Sequence, residues 1–234
     1  MRLAKLYCIV VLLFTTLQGC YLGKALWYNV PGQSDYRIFP ERTIAAGTPV
    51  SFPENHQACI PSPETWAIQK KAKPGVSPEK FLRKTGTLAF LILRNDTLIY
   101  ERYFFGRQRE SVVTSFSISK SVLSLLTGIA IEKGLLRLED PIGLYLPEFQ
   151  RYETKDLTIR HLLQMTSGLN FQETYYNPFS GAPRFYYGKE LRKQAAKLKP
   201  RFPPGTEFSY KSCDPVILGW ILEKVTGKTV SQQL

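Results

Sequence analysis

The sequence predicts an α+β chain in which a β-hairpin precedes a series of helices. Three observations carry that expectation. Two apolar stretches flank a turn at Asn95-Asp96. A run from Ile118 to Ile131 is apolar on nearly every face. Two further helical patterns, after Thr158 and after Asp214-Pro215, each close at a glycine. At 234 residues, 44% apolar and 21% charged, the chain has the balance of a packed globular protein and not of a disordered or fibrous one.

The elements follow in chain order. Arg2 and Lys5 precede a nearly unbroken apolar run, Leu6 to Leu17, which is short for a bilayer span and matches a secretory signal. The run ends in Leu17-Gln18-Gly19-Cys20, which resembles the lipobox of bacterial lipoproteins. That resemblance implies cleavage after residue 19 and lipidation of Cys20, with the protein exported and tethered in the cell envelope. A plain signal peptide or a short membrane anchor is the alternative. Residues 20–85 carry eight prolines between Pro31 and Pro78, which exclude long helices and predict an extended leader.

The hairpin then pairs Leu88-Ala89-Phe90-Leu91-Ile92-Leu93 with Leu98-Ile99-Tyr100 and Tyr103-Phe104. A helix apolar all round, as Ile118 to Ile131 reads, belongs at a domain centre. Thr158 is placed to cap a helix through Ile159, Leu162, Leu163 and Met165, closed by Gly168. Residues 170–188 read as an aromatic-rich loop and Glu190 to Leu198 as a short basic helix. Asp214-Pro215 opens the last full helix, which stops at Gly227, and Ser231 onward looks like the first turn of another.

Charge and cysteines narrow the function classes. Lys and Arg number 31 against 19 Asp and Glu, a formal charge of +12, but the cations are scattered, so they read as a solvated surface and no nucleic-acid partner is expected. With Cys8 in the signal peptide and Cys20 carrying lipid, Cys59 and Cys213 remain. An exported chain permits a disulfide between them, and two free thiols fit equally. With His56 and His161 the only histidines and no CxxC, neither a metal site nor an organic cofactor is expected.

The chemistry concentrates at Ser117-Ile118-Ser119-Lys120, at the head of the apolar helix. Residues i and i+3 share a helix face, so the Lys120 amine can reach the Ser117 hydroxyl. A serine needs a neighbouring base to become nucleophilic, and burial favours the neutral amine that can act as one. The helix N-terminus supplies positive potential where an oxyanion would form. The second feature is Pro204-Gly205-Thr206 leading to Ser209-Tyr210-Lys211-Ser212, where Tyr210 could relay a proton or could simply be a core tyrosine.

Taken together, these segments resemble the penicillin-binding, class C β-lactamase-like serine hydrolases. The resemblance runs through Phe116-Ser117-Ile118-Ser119-Lys120-Ser121, Gly134-Leu135-Leu136, Leu138-Glu139-Asp140-Pro141, Leu157 to Leu163 and Met165-Thr166-Ser167-Gly168-Leu169. It continues through Pro204-Gly205-Thr206 and Tyr210-Lys211-Ser212 into Leu218-Gly219-Trp220. It implies a β-lactamase/transpeptidase-like fold over residues 86–234, an antiparallel sheet packed against a helical subdomain. It also implies that Ser117 is acylated, that Lys120 is the base and that Tyr210 assists proton transfer.

Tyr-x-Ser in place of the commoner Tyr-x-Asn looks most like the 6-aminohexanoate-dimer hydrolase branch, which favours small-molecule or peptide amides and esters. Ser212 and the aromatics Tyr175 and Tyr176 are the candidate substrate-binding residues, with Phe171, Tyr186 and Tyr187 as further cleft candidates. The family's third motif lies on a strand after the tyrosine, where this chain reads as helix, so the C-terminal strands are expected to be missing. Lys84-Thr85-Gly86 has the letters of that motif but precedes the serine. A D-Ala-D-Ala peptidase or β-lactamase, and a non-catalytic truncated binding module, are the alternatives. His161, inside a helix, reads as a packing residue.

Overall fold

The computed structural model describes residues 21–45, 47–48, 50–55 and 78–234. Residues 1–19, assigned to the signal peptide, and Cys20 and Cys59 lie outside the described residues. Two compact units form: Ala45–Val113, and Thr114–Leu234 together with the chain up to Ile44.

The smaller unit is built on the hairpin, β1 (Ala89–Arg94) and β2 (Thr97–Tyr103), antiparallel from Ala89↔Tyr103 to Arg94↔Thr97 with a register shift between Ile92 and Leu93. Asn95 and Asp96 both take positive φ, 51° and 56°, the backbone of a two-residue turn that matches strand twist. Residues 53–55 run beside β2, with Leu98 N–H donating to Pro53 O (2.8 Å) and Asn55 N–H to Leu98 O (2.9 Å). Among its described residues Leu82, on the helix Pro78–Lys84, Leu98 and Phe104 are buried, and the Arg83 guanidinium lies over the Phe104 ring.

The larger unit is helical. In chain order, with Pro78–Lys84 of the smaller unit counted as α2, its helices are α1 (Tyr21–Tyr28), α3 (Ile118–Glu132), α4 (Ile159–Leu163), α5 (Gly181–Tyr187), α6 (Leu191–Ala195), α7 (Cys213–Thr226) and α8 (Val230–Gln233). Short 3-10 turns between α3 and α4 contribute Ile142, Leu146 and Phe149 to the core. They meet Leu157, Ile159 and Leu162 around α4, and Ile217, Ile221 and Leu222 of α7, nearly all at zero exposure. Thr158 caps α4 reciprocally with His161: the hydroxyl accepts from His161 N–H, and the ring Nδ1 accepts from Thr158 N–H. His161 is therefore a capping residue, and burial lowers its pKa.

Two elements differ from the expectation. The helix α3 buries one stripe only, Leu126, Thr127 and Ala130, where it packs on α7 with the Leu123 side chain above Gly219. Ile118 and Leu125 are each 70% exposed. Residues 170–188 also hold more structure than a loop. Phe171 turns inward to meet Phe185 edge-on at 4.9 Å, and α5 starts at Gly181, where a Cβ would stand 2.7 Å from the Phe171 ring. The aromatics on α5 pair with α1 and its continuation: Tyr28 stacks on Tyr187, and Tyr186 Oη donates to Asp35 (3.0 Å). Tertiary contacts of that kind leave no local periodicity to read.

Candidate active site

Ser117 occupies the N-cap position of the 15-residue α3, with helical φ and ψ and no capping hydrogen bond from its own side chain. Its hydroxyl is left for other partners. The residue before it, Phe116, is held at φ 46°, a left-handed conformation that is uncommon for a bulky side chain and that turns the chain sharply into the helix. Ser119 Oγ donates back to Phe116 O (2.8 Å) and fixes that turn.

Lys120, one turn on, donates from Nζ to Ser117 Oγ at 3.1 Å. Tyr210 Oη lies 2.6 Å from the same oxygen, and Lys120 Nζ stands 5.4 Å from the Tyr210 ring centre. One hydroxyl thus shares hydrogen bonds with an amine and a phenol that are 90 residues apart in the chain. A hydroxyl held between two groups able to accept and return protons is the arrangement that nucleophilic catalysis by serine needs.

Tyr210 comes from the short extended stretch ahead of α7. That stretch is pinned upstream where Ser209 N–H donates to Met165 O (3.0 Å), and Gly205 N–H donates to Thr166 O (2.8 Å). Gly168 closes the same loop at φ +70°, and a Cβ there would stand 2.1 Å from Phe202 O, so only glycine fits. Alternation along the stretch turns Tyr210 and Ser212 to the cavity and Lys211 inward, where it is 5% exposed and donates to Ser209 O (3.3 Å).

The cavity beside Ser117 has a volume of about 1000 Å³ and is walled by Ser117, Lys120, Tyr210, Ser212, Glu173 and Tyr175, with apolar side chains such as Phe185 and Trp220 behind them. Burial first, then the charge of Glu173, push Tyr175 up to about 12, which keeps its phenol protonated. Tyr176 points to solvent at 84% exposure and does not line the cavity. Phe171 and Tyr187 are core residues, whereas Tyr186 does line it. Among the described residues no cluster of His, Cys, Asp or Glu is placed to hold a metal ion.

Glu173 was not among the sequence candidates. Its carboxylate accepts from Ser212 N–H (2.7 Å) and from Ser212 Oγ–H (2.6 Å), across 39 residues. A glutamate inside an aromatic-rich segment carries no motif that would single it out. Behind the site, Asp214 Oδ1 accepts from Ser167 Oγ (2.8 Å) and from the buried Cys213 thiol (3.3 Å).

The sequence model of the family described as Beta-lactamase matches residues 73–234. A 6-aminohexanoate-dimer hydrolase of Paenarthrobacter ureafaciens is 28% identical over 159 residues, covering 64% of this chain and 41% of the relative. A provisionally assigned penicillin-binding protein of Bacillus subtilis, PbpX, is 26% identical over 152 residues, covering 62% of this chain and 36% of its own. Among solved structures, a provisionally assigned 6-aminohexanoate-dimer hydrolase from Bacillus anthracis superposes with a TM-score of 0.65 at 22% identity, over 78% of this chain and 50% of the other. The chain therefore spans about two fifths of the length of these curated relatives.

Proposed function

From a chain that belongs to the β-lactamase family and has a β-lactamase/transpeptidase-like α+β fold, we propose a serine hydrolase that cleaves an amide or ester bond through an acyl-enzyme on Ser117. The observation that supports it is the placement of Ser117 Oγ within hydrogen-bond reach of both Lys120 Nζ and Tyr210 Oη. In its neutral form Lys120 takes the Ser117 proton as Oγ attacks the substrate carbonyl carbon. The N-terminus of α3 favours the oxyanion. As the carbon–nitrogen or carbon–oxygen bond breaks, Tyr210 hands a proton to the leaving group. Water then attacks the Ser117 ester, the proton route runs in reverse, and the acid is released.

The 6-aminohexanoate-dimer hydrolase named above supports amides as the first substrates to try. Cys20, after the apolar run from Leu6 to Leu17, supports an exported protein tethered by lipid. No described helix is long and apolar enough to cross a membrane.

The test is incubation with a fluorophosphonate probe and intact-mass analysis. A single adduct is expected, absent in Ser117→Ala. Tyr210→Phe is expected to slow labelling about 100-fold or more, the usual range for loss of a proton-transfer group. A folded protein that takes no adduct refutes the proposal. For the anchor, the expected result is an N-terminal peptide beginning at a lipid-modified Cys20, and an unmodified Cys20 in the exported protein refutes it.

A further inference from the structure

We infer that Glu173 is a positioning residue, one that holds Tyr210 on Ser117 by clamping the start of α7 through Ser212. The inference rests on the hydrolase reading above for its catalytic meaning, and on geometry alone for the clamp.

Ser212 is the N-cap residue of the 14-residue α7, yet its side chain makes no capping bond to its own helix. Both of its donors go to Glu173 instead, Oγ–H to Oε1 at 2.6 Å and N–H to Oε2 at 2.7 Å. These are short, charge-assisted bonds, about twice as strong as neutral ones, and a two-point fork fixes direction as well as distance. A carboxylate at a helix N-terminus is favoured further by the helix dipole. Glu173 therefore acts as the cap that Ser212 does not supply for itself.

The clamp acts at a sensitive place. Tyr210 is two residues before Ser212, on the same side of an extended stretch, and is itself 42% exposed with few walls to hold it. Upstream it is steadied by a backbone bond, Ser209 N–H to Met165 O. The Glu173 fork is the matching restraint downstream. Glu173 is in turn set on an anchored segment, since Asn170 N–H donates to Lys199 O (2.9 Å) and Ala182 N–H to Gln172 O (3.1 Å). Because Tyr175 lies two residues beyond Glu173 and lines the same cavity, the fork also ties that wall to the reacting hydroxyl. With both carboxylate oxygens engaged within the chain, the residue's work is to hold the site in place. Displacement of a catalytic group by about 1 Å can cost about 100-fold in rate, so a flexible clamp would be felt in the chemistry and not in binding.

The experiment places 3-fluorotyrosine at position 210 in the otherwise natural full chain and follows both its 19F resonance and the rate of fluorophosphonate labelling. Glu173→Gln keeps one acceptor and loses the other. It is expected to shift or split the 19F line and to lower the maximal labelling rate about 10- to 100-fold, with the half-saturating probe concentration unchanged. Adding Ser212→Ala to Glu173→Gln is expected to cost little more, because both changes break one fork. Glu190→Gln, which removes an exposed carboxylate of a surface ion pair, is the control expected to match the natural protein in both readouts.

An unmoved 19F line in Glu173→Gln overturns the inference. So does a labelling rate in Glu173→Gln equal to that of a natural protein that does label. Should the natural protein not label, the hydrolase reading fails, and the 19F line still decides whether Glu173 positions Tyr210. Should Glu173→Gln not fold, Ser212→Ala alone, which removes the hydroxyl arm, is read in the same two ways.

Discussion

Replacing Asp214 with asparagine tests whether the floor of the site stores an electrostatic cost. Asp214 is wholly buried; its Oδ1 accepts from Ser167 and Cys213, while Oδ2 has no partner among the described residues. Burial pushes its pKa up from 3.8 to about 6, against the pull of the Ser167 and Cys213 hydrogen bonds and the nearby Lys211 charge, and with the Glu173 carboxylate adding to the rise. In the unfolded chain the group titrates near 3.8, so between pH 4 and 6 the folded protein keeps a proton that the unfolded chain has lost. Stability must then fall as pH rises through that window, and level off above it. The interval from 3.8 to about 6 corresponds to about 3 kcal/mol at 1.4 kcal/mol per pH unit.

Urea unfolding followed by circular dichroism at pH 4, 5, 6, 7 and 8 measures it. The exposed carboxylates of Glu79, Glu139 and Glu153, held low by arginine, lysine or backbone partners, give stability that is lost as pH falls, the opposite sign. They are common to both proteins, so the difference between natural protein and Asp214→Asn isolates Asp214. That difference is expected to move in favour of the variant by about 2–3 kcal/mol from pH 4 to pH 7; an amide N–H left unsatisfied costs the variant the same at every pH and leaves that movement unchanged. Curves that run parallel across the window would refute the reasoning.

Two further substitutions have opposite expected signs. Gly168→Ala puts a side chain at φ +70° with its Cβ 2.1 Å from Phe202 O, and is expected to lose about 3 kcal/mol or more in urea unfolding and to slow Ser117 labelling, because the Met165 and Thr166 carbonyls that hold the Tyr210 stretch belong to the same loop. Gly219→Ala, inside α7, meets only Leu123 Cδ1 and Val230 Cγ2 at an ordinary 3.8 Å, and is expected to raise stability by about 0.5–1 kcal/mol through helix propensity, read as a higher melting temperature.

What the sequence made legible was what short spacings encode. Ser117 and Lys120 are one turn apart, and their contact follows from helix geometry once α3 begins at Ile118. The Asn95-Asp96 turn and the left-handed Gly227 that ends α7 are equally local, as is the Thr158 cap. Tyr210 was reached through its motif context; its 2.6 Å approach to Ser117 depends on a loop closed at Gly168. The Glu173–Ser212 fork joins two ordinary residues across 39 positions and has no local signature. The inward turn of Lys211 and the solvent-facing turn of Tyr176 depend likewise on which neighbour each side chain meets. Composition overstated the burial of α3, because counting apolar residues around a helix does not say which stripe the partner helix covers.

The helix α7 explains how the two halves of the site come to one oxygen. Ser117 and Lys120 are carried by α3, which lies against α7 where Leu123 covers Gly219. Tyr210 and Ser212 are the two cavity-facing residues leading directly into α7. The helix carrying Ser117 and the stretch carrying Tyr210 are thus registered against the same rigid element, whose Ile217, Ile221 and Leu222 are fully buried. Between the helices the register rests on close packing, which tolerates little displacement. Between Tyr210 and α7 only a two-residue link intervenes, and the Glu173 fork fixes it from outside. A site assembled this way places its precision in helix packing and its adjustability in one carboxylate, so changes in the core should alter stability first, and changes at Glu173 should alter the chemistry first.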